Sequence, residues 1–174
     1  MNKIIVISGK QYSGKDTLAE ILLDLMPNFK RVGIGDAIKI EYGKRKNLTF
    51  DEIEAQKHLY RADLIELGNW GRAQDDDYWL KNIANMDNII VPDVRVCHEI
   101  EFFKQKGAYL IRVESSEENR SKRGVLVGVN DITETALDNY QDWNLVIENN
   151  STYEDLMKKA EQIVQLHQKF VGLL

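Results

Sequence analysis

The chain has 174 residues, 43% hydrophobic and 29% charged, enough to bury a continuous core as a single domain over 1-174 and too apolar for disorder. A formal charge of -5 excludes general affinity for nucleic-acid polymers, which needs surplus Lys and Arg to release counterions, but leaves small anions open to local basic groups. Cys97 is the only cysteine, so no internal disulfide can form, and no stretch approaches the roughly 18 apolar residues that span a bilayer; a cytoplasmic protein without membrane contact is expected.

Ile4 to Ile7 predict a buried strand, followed by SGKQYSGKD. Gly9 and Gly14 are spaced as in a phosphate-binding loop, whose successive backbone N–H groups point at one spot that the positive end of the next helix also faces. Lys15 would lie over the outer phosphates of a nucleoside triphosphate. The general pattern then expects Ser or Thr, and here Asp16 stands there with Thr17 after it. Leu18, Ile21, Leu22 and Leu25 fall on one helical face, ended before Pro27.

Phe29 to Ile34 predict a second strand, with Asp36 capping a helix over Ala37 to Arg45. Thr49 and Glu52 form a capping box, and a helix through Leu64, Ile65 and Leu67 is expected to end at Gly68, so residues 36–86 read as a mostly helical region broken near Gly68 and Gly71. Asp75, Asp76 and Asp77 precede Tyr78, Trp79, Leu80 and Ile83, and helix capping explains them better than a metal site.

Asn88 to Val91 predict a strand ending at Pro92 and Asp93, then a helix with Ile100, Phe102 and Phe103 ended by Gly107, and a strand over Ala108 to Val113. Residues 115–130 are polar, then aperiodic, as a flap over a site would be. Leu145 to Ile147 form a last strand, and Ser151 with Glu154 precedes a long helix carrying Leu156, Met157, Ala160, Ile163, Val164 and Phe170. Strands alternating with helices predict an α/β three-layer sandwich on a five-stranded parallel sheet, with its ligands at the carboxyl ends of the strands.

Asp93 stands at such a strand end, where phosphate-loop enzymes hold magnesium; helix capping is the alternative. Arg95 could face the same cleft and take a phosphate bidentately. Arg120, Lys122 and Arg123 form a basic cluster in the flap, suited to the charge of a transferring phosphoryl group or to plain surface solvation. Arg61 and Arg72 read as solvated helix charges, and His58, His98 and His167 lack metal-ligand spacing. Cys97 beside His98 and Glu99 makes no thiol site, because consecutive helical residues point apart.

The segments SGKQYSGKD, IIVPDVRVCHE, NRSKRG, YRADLIELGNWGR and ALDNYQDWNLVIEN together resemble the phage-type deoxynucleoside monophosphate kinases and the animal-type phosphomevalonate kinases, related P-loop NTPase folds. The resemblance spans almost the whole chain, and Gly-Lys-Asp is characteristic of that family's loop. VPDVRVCHE and DITET look closer to the first branch, YRADLIELGNWGR and LDNYQDWNLVIEN to the second. The resemblance implies ATP and magnesium as cofactors. Gly9, Lys10, Ser13, Gly14, Lys15, Asp16 and Thr17 would hold the nucleotide, with Asp16 and Asp93 toward the metal. Arg61, Asp93 and Arg95 would face the acceptor, while Arg120 and Arg123 would close from a lid at about 115–130 onto the transferring group. The core would comprise 1–35 and 87–174, and 36–86 the acceptor region. The expected acceptor is a (deoxy)nucleoside monophosphate, with phosphomevalonate second, in a monomer or homodimer. A nucleotide-binding regulator is the other class, but the chain lacks the Asn-Lys-x-Asp motif of GTP switches.

Overall fold

The computed structural model describes residues 3–126 and 128–172, without the side chains of Lys57 and His58. Val127 of the expected lid and the His58 side chain therefore lie outside the described residues. The chain divides into two compact units, residues 1–31 with 87–174, and residues 32–86.

In the first unit, β1 (Ile4–Ser8), β2 (Lys30–Arg31), β3 (Ile89–Val91), β4 (Tyr109–Glu114) and β5 (Leu145–Glu148) form one sheet in the order β2-β3-β1-β4-β5. Every pairing is parallel. Parallel strands covered on both faces read as continuous apolar runs, and this is why β1 and β3 are recognisable as IIVIS and IIV. Side chains alternate between faces. Ile5, Ile7, Ile90, Ile111 and Val113 join Leu18 and Leu22 of α1 (Lys15–Leu25) and Leu156, Ala160 and Ile163 of α8 (Tyr153–Gly172) in one core. On the alternate positions Ile4, Val6 and Leu110 are equally buried, and α5 (Cys97–Gln105), with Ile100 and Phe103, packs on β1 and β4. β1 is central, so the loops after β1, β3 and β4 open at one carboxyl edge, where the order of strands reverses.

Two shorter helices follow β4: α6 (Glu117–Arg123), capped by Ser116, and α7 (Ile132–Thr135), capped by Asp131. The cap of α8 is Thr152, whose Oγ1 accepts from the Asp155 N–H at 3.3 Å, rather than the expected Ser151 with Glu154. β2 is also shorter than the expected Phe29 to Ile34, because helix begins at Ile34. His167 is buried between the rings of Phe29 and Tyr109, and burial pushes its pKa down, so it packs as a neutral aromatic.

The second unit is helical: α2 (Ile34–Lys46), α3 (Phe50–Ala55) and α4 (Lys57–Gln74), then a run of turns to residue 85. Asp36 is not the cap of α2 but its third residue, accepting from the N–H of the actual cap Gly33 at 2.8 Å. The Thr49–Glu52 capping box forms as expected. Lys39 is buried between Asp36 at 3.0 Å and Glu54 at 2.8 Å; burial alone would lower its pKa, and the two carboxylates outweigh that and raise it.

Helix α4 does not break at Gly68 or Gly71. Gly71 serves packing, since a Cβ there would stand 2.5 Å from Trp79 Cε2, and the Trp79 Nε1–H donates to the Gly68 carbonyl at 3.0 Å. Residues 78–85 form turns instead of the expected helix, with Asp75 Oδ1 accepting from the Asp77 N–H at 2.8 Å. Helix propensity alone would favour Gly71→Ala, but overpacking against a buried indole costs roughly 1–3 kcal/mol. Thermal denaturation of Gly71→Ala is expected to give a lower melting temperature; a rise would remove the packing explanation.

Candidate active site

The loop from β1 to α1 exists because two of its residues have no side chain. Gly14 sits at φ 97, where an L side chain is strained, and a Cβ there would collide with Asn149 Nδ2. A Cβ at Gly9 would stand 2.6 Å from the Val113 carbonyl. Tyr12 adopts φ 57, and the Ser13 N–H donates to the Lys10 carbonyl at 3.1 Å, closing the turn. Lys15 then opens α1 with 6% exposure, its Nζ 3.2 Å from Asp16 Oδ2. The Asp16 side chain is 60% exposed, with Arg31 Nη2 at 3.9 Å. Thr17 is half-buried on the same first turn.

Helix α6 brings two arginines to this loop, and they differ. Arg123 is widely engaged: Nη1 donates to the Tyr12 carbonyl at 3.0 Å, the Ser13 carbonyl at 3.3 Å and Ser115 Oγ at 3.2 Å, and Nη2 to the Asn149 carbonyl at 2.8 Å. Arg120 is 7% exposed and donates from Nη1 to the Gln11 carbonyl at 3.4 Å. Its Nε is buried without a partner among the described residues, and so is Ser13 Oγ. Buried polar atoms in native proteins are nearly always satisfied, so two orphans, one in the loop and one on the helix against it, mark a place for a polar ligand.

The edge after β3 contributes Asp93 and Arg95, both half-buried. Arg95 Nη1 pairs with Glu134 Oε1, and Glu134 Oε2 accepts the Gln11 N–H at 2.9 Å. Lys10 turns to Asp138 at 2.8 Å, and Arg112 Nη2 lies 3.5 Å from the same carboxylate. Arg112 is buried; desolvation pulls its pKa below the ordinary range, against Glu114, Asp138 and Glu134, which raise it. Arg61 lies exposed on α4 in the second unit.

Three of these groups escape a reading of the sequence. Asn149 donates from Nδ2 to the Ser13 carbonyl at 2.8 Å, and its position just after β5 is the same strand-end signal that singles out Asp93. Arg112 interrupts an apolar strand, YLIRVE, which is a signal of a buried charge with a purpose. Glu134, inside a polar stretch, carries none.

A family model for phosphomevalonate kinase matches residues 7–109, and one for deoxynucleotide monophosphate kinase matches residues 61–160. Phosphomevalonate kinase of Drosophila melanogaster is 30% identical over 94% of this chain and 95% of its own length. Among solved structures, shikimate kinase from Aquifex aeolicus aligns over 98% of this chain and 99% of its own with TM-score 0.55 at 17% identity. A gluconokinase from Sinorhizobium meliloti aligns over 99% and 97% with TM-score 0.57 at 13% identity. These structures share the fold, a P-loop α/β sandwich. With its glycine loop and parallel sheet, the chain is a phosphotransferase and belongs to the P-loop kinase family of the phosphomevalonate kinases and deoxynucleotide monophosphate kinases.

Proposed function

We propose that the protein transfers the γ-phosphoryl group of ATP to the phosphate of a small monophosphate, forming its diphosphate and ADP. The observation that carries this reading is the pair of buried cations, Lys15 and Arg120, at a glycine loop with orphaned polar atoms. In this water-poor setting each cation stabilises transferring charge more than it could in bulk solvent. An oxygen of the acceptor phosphate attacks the γ-phosphorus, the bond to the β–γ bridging oxygen breaks, and ADP leaves with that electron pair. No covalent enzyme intermediate is needed, so alignment and charge neutralisation do the catalysis.

The loop from Gly9 to Thr17 binds the ATP phosphates, with Lys15 on the outer ones; Lys10 joins them only by leaving Asp138. Arg120 meets the transferring group, and Arg95, Asp93 and Arg61 serve the acceptor. The oxygen donors Asp16, Thr17 and Asp93 fit magnesium, which takes one or two carboxylates beside phosphate oxygens and water; Asp16 is exposed enough to reach it. Bound there, magnesium would neutralise phosphate charge.

We rank phosphomevalonate first as acceptor, ahead of the nucleotide expected from the sequence, because a relative matched over 94% of this chain carries that name. A deoxynucleoside monophosphate is second, on the match over residues 61–160. ADP release is measured across phosphomevalonate, deoxy- and ribonucleoside monophosphates and dephospho-coenzyme A. Phosphomevalonate is expected to exceed the others by at least about 10²-fold in kcat/KM, as for a site built around specific polar contacts. ATP binding without ADP release on any acceptor would leave the regulator reading instead.

A further inference from the structure

We infer that Glu134 is a positioning residue, a strut that holds Arg95 in fixed register with the phosphate loop. The inference rests on the kinase reading above and extends it to a side chain that this reading does not use.

The Glu134 side chain is 4% exposed, in a site that must attract anions. A buried carboxylate there is costly and opposes phosphate binding, so charge neutralisation is not its purpose. What it does instead is geometric. Oε2 takes the Gln11 N–H, in the loop after β1, at 2.9 Å, and Oε1 takes Arg95 Nη1, in the loop after β3. One carboxylate thus ties the donor side of the cleft to the acceptor side.

The strut has a firm base. Asp131 Oδ1 caps α7 through the Thr133 N–H at 2.9 Å, and Leu137, three residues after Glu134, is buried. Arg95 is also held from its own side, where its backbone N–H donates to Glu99 Oε2 at 2.8 Å. Among the described residues, Arg95 Nη2 and Nε meet no protein acceptor, and the side chain is 28% exposed. The guanidinium is therefore fixed at one corner and open along another edge, as bidentate recognition of a phosphate requires. Other roles fit less well. A general base has nothing to do, because an acceptor phosphate is already anionic, and a metal ligand would need oxygens that are both engaged here.

The test is a double-mutant cycle on the full chain, using the acceptor that the wild type phosphorylates. Glu134→Gln is isosteric and still accepts from Gln11, but loses the charge that orients Arg95. It is expected to lower acceptor kcat/KM by about 10- to 100-fold, the scale of a misplacement of about 1 Å. The Kd for ATP, by calorimetry, is expected to stay within about twofold. In an Arg95→Gln background the same change is expected to alter acceptor kcat/KM by less than about threefold, because the group it acts through is already gone. If Glu134→Gln does not fold, Arg95→Gln and the double variant, which buries no unmatched charge at this pair, carry the comparison. Effects that multiply, or an ATP Kd that weakens as much as the acceptor term, would overturn the strut while leaving the kinase reading intact. A wild type that binds ATP but phosphorylates no acceptor would overturn the kinase reading, and the strut with it.

Discussion

Lys15→Ala is expected to lower turnover by about 10²- to 10³-fold, the loss seen when one preorganised donor to a developing anion is removed. Lys15 is 6% exposed and its ammonium has Asp16 Oδ2 at 3.2 Å as its neighbour, so ATP would meet a cation already largely withdrawn from water. The fold should tolerate the change. Removing a buried ammonium relieves a desolvation cost, and the partner left behind is 60% exposed, where water replaces the lost ion pair. ADP release and thermal denaturation together check this: a large loss of turnover with a melting temperature within a few degrees of the wild type is expected. Undiminished turnover would mean that the loop after β1 does not hold the donor phosphates.

Much of this architecture is legible in the sequence because parallel strands buried on both faces leave uninterrupted apolar runs. Ile4 to Ile7 and Ile89 to Val91 stand out for that reason; the first leads into the glycine loop that ends at Lys15, and the second places Asp93 two residues beyond its end. The glycines mislead where their role is tertiary. Gly9 and Gly14 are a loop signal, but Gly68 and Gly71 look like helix breaks, since nothing local reveals that the Trp79 ring will lie against Gly71 and donate to the Gly68 carbonyl. Asp36 is misplaced by three residues because a cap and the third residue of a helix both favour an acid, and only geometry separates them. Within the site, motif spacing exposes Lys15 and Asp16. Glu134 and Asn149 act through contacts spanning 123 and 136 residues, which no periodicity records.

Arg120 and Arg123, three residues apart on α6 and alike in sequence, should separate sharply when each is changed to glutamine. Among the described residues, the hydrogen bonds of Arg123 all go to carbonyl or hydroxyl oxygens of the loop or its supports, namely Tyr12, Ser13, Ser115 and Asn149. It clamps the loop from outside, so Arg123→Gln should loosen the donor site, raise the KM for ATP about tenfold or less and change kcat little. Arg120 is 7% exposed, holds one loop carbonyl at 3.4 Å and keeps Nε unpartnered. A cation with donor capacity unspent in the free enzyme is one whose contacts strengthen when charge develops on the transferring phosphoryl group. Arg120→Gln is therefore expected to cost about 10³-fold in kcat, the lower end for an arginine that stabilises phosphoryl transfer, with the Kd for ATP within about threefold. Steady-state kinetics with ATP titration calorimetry distinguish the two. A large KM effect at Arg120 and a large kcat effect at Arg123 would exchange their roles, making the more widely bonded arginine the one that leaves its carbonyls when substrate binds.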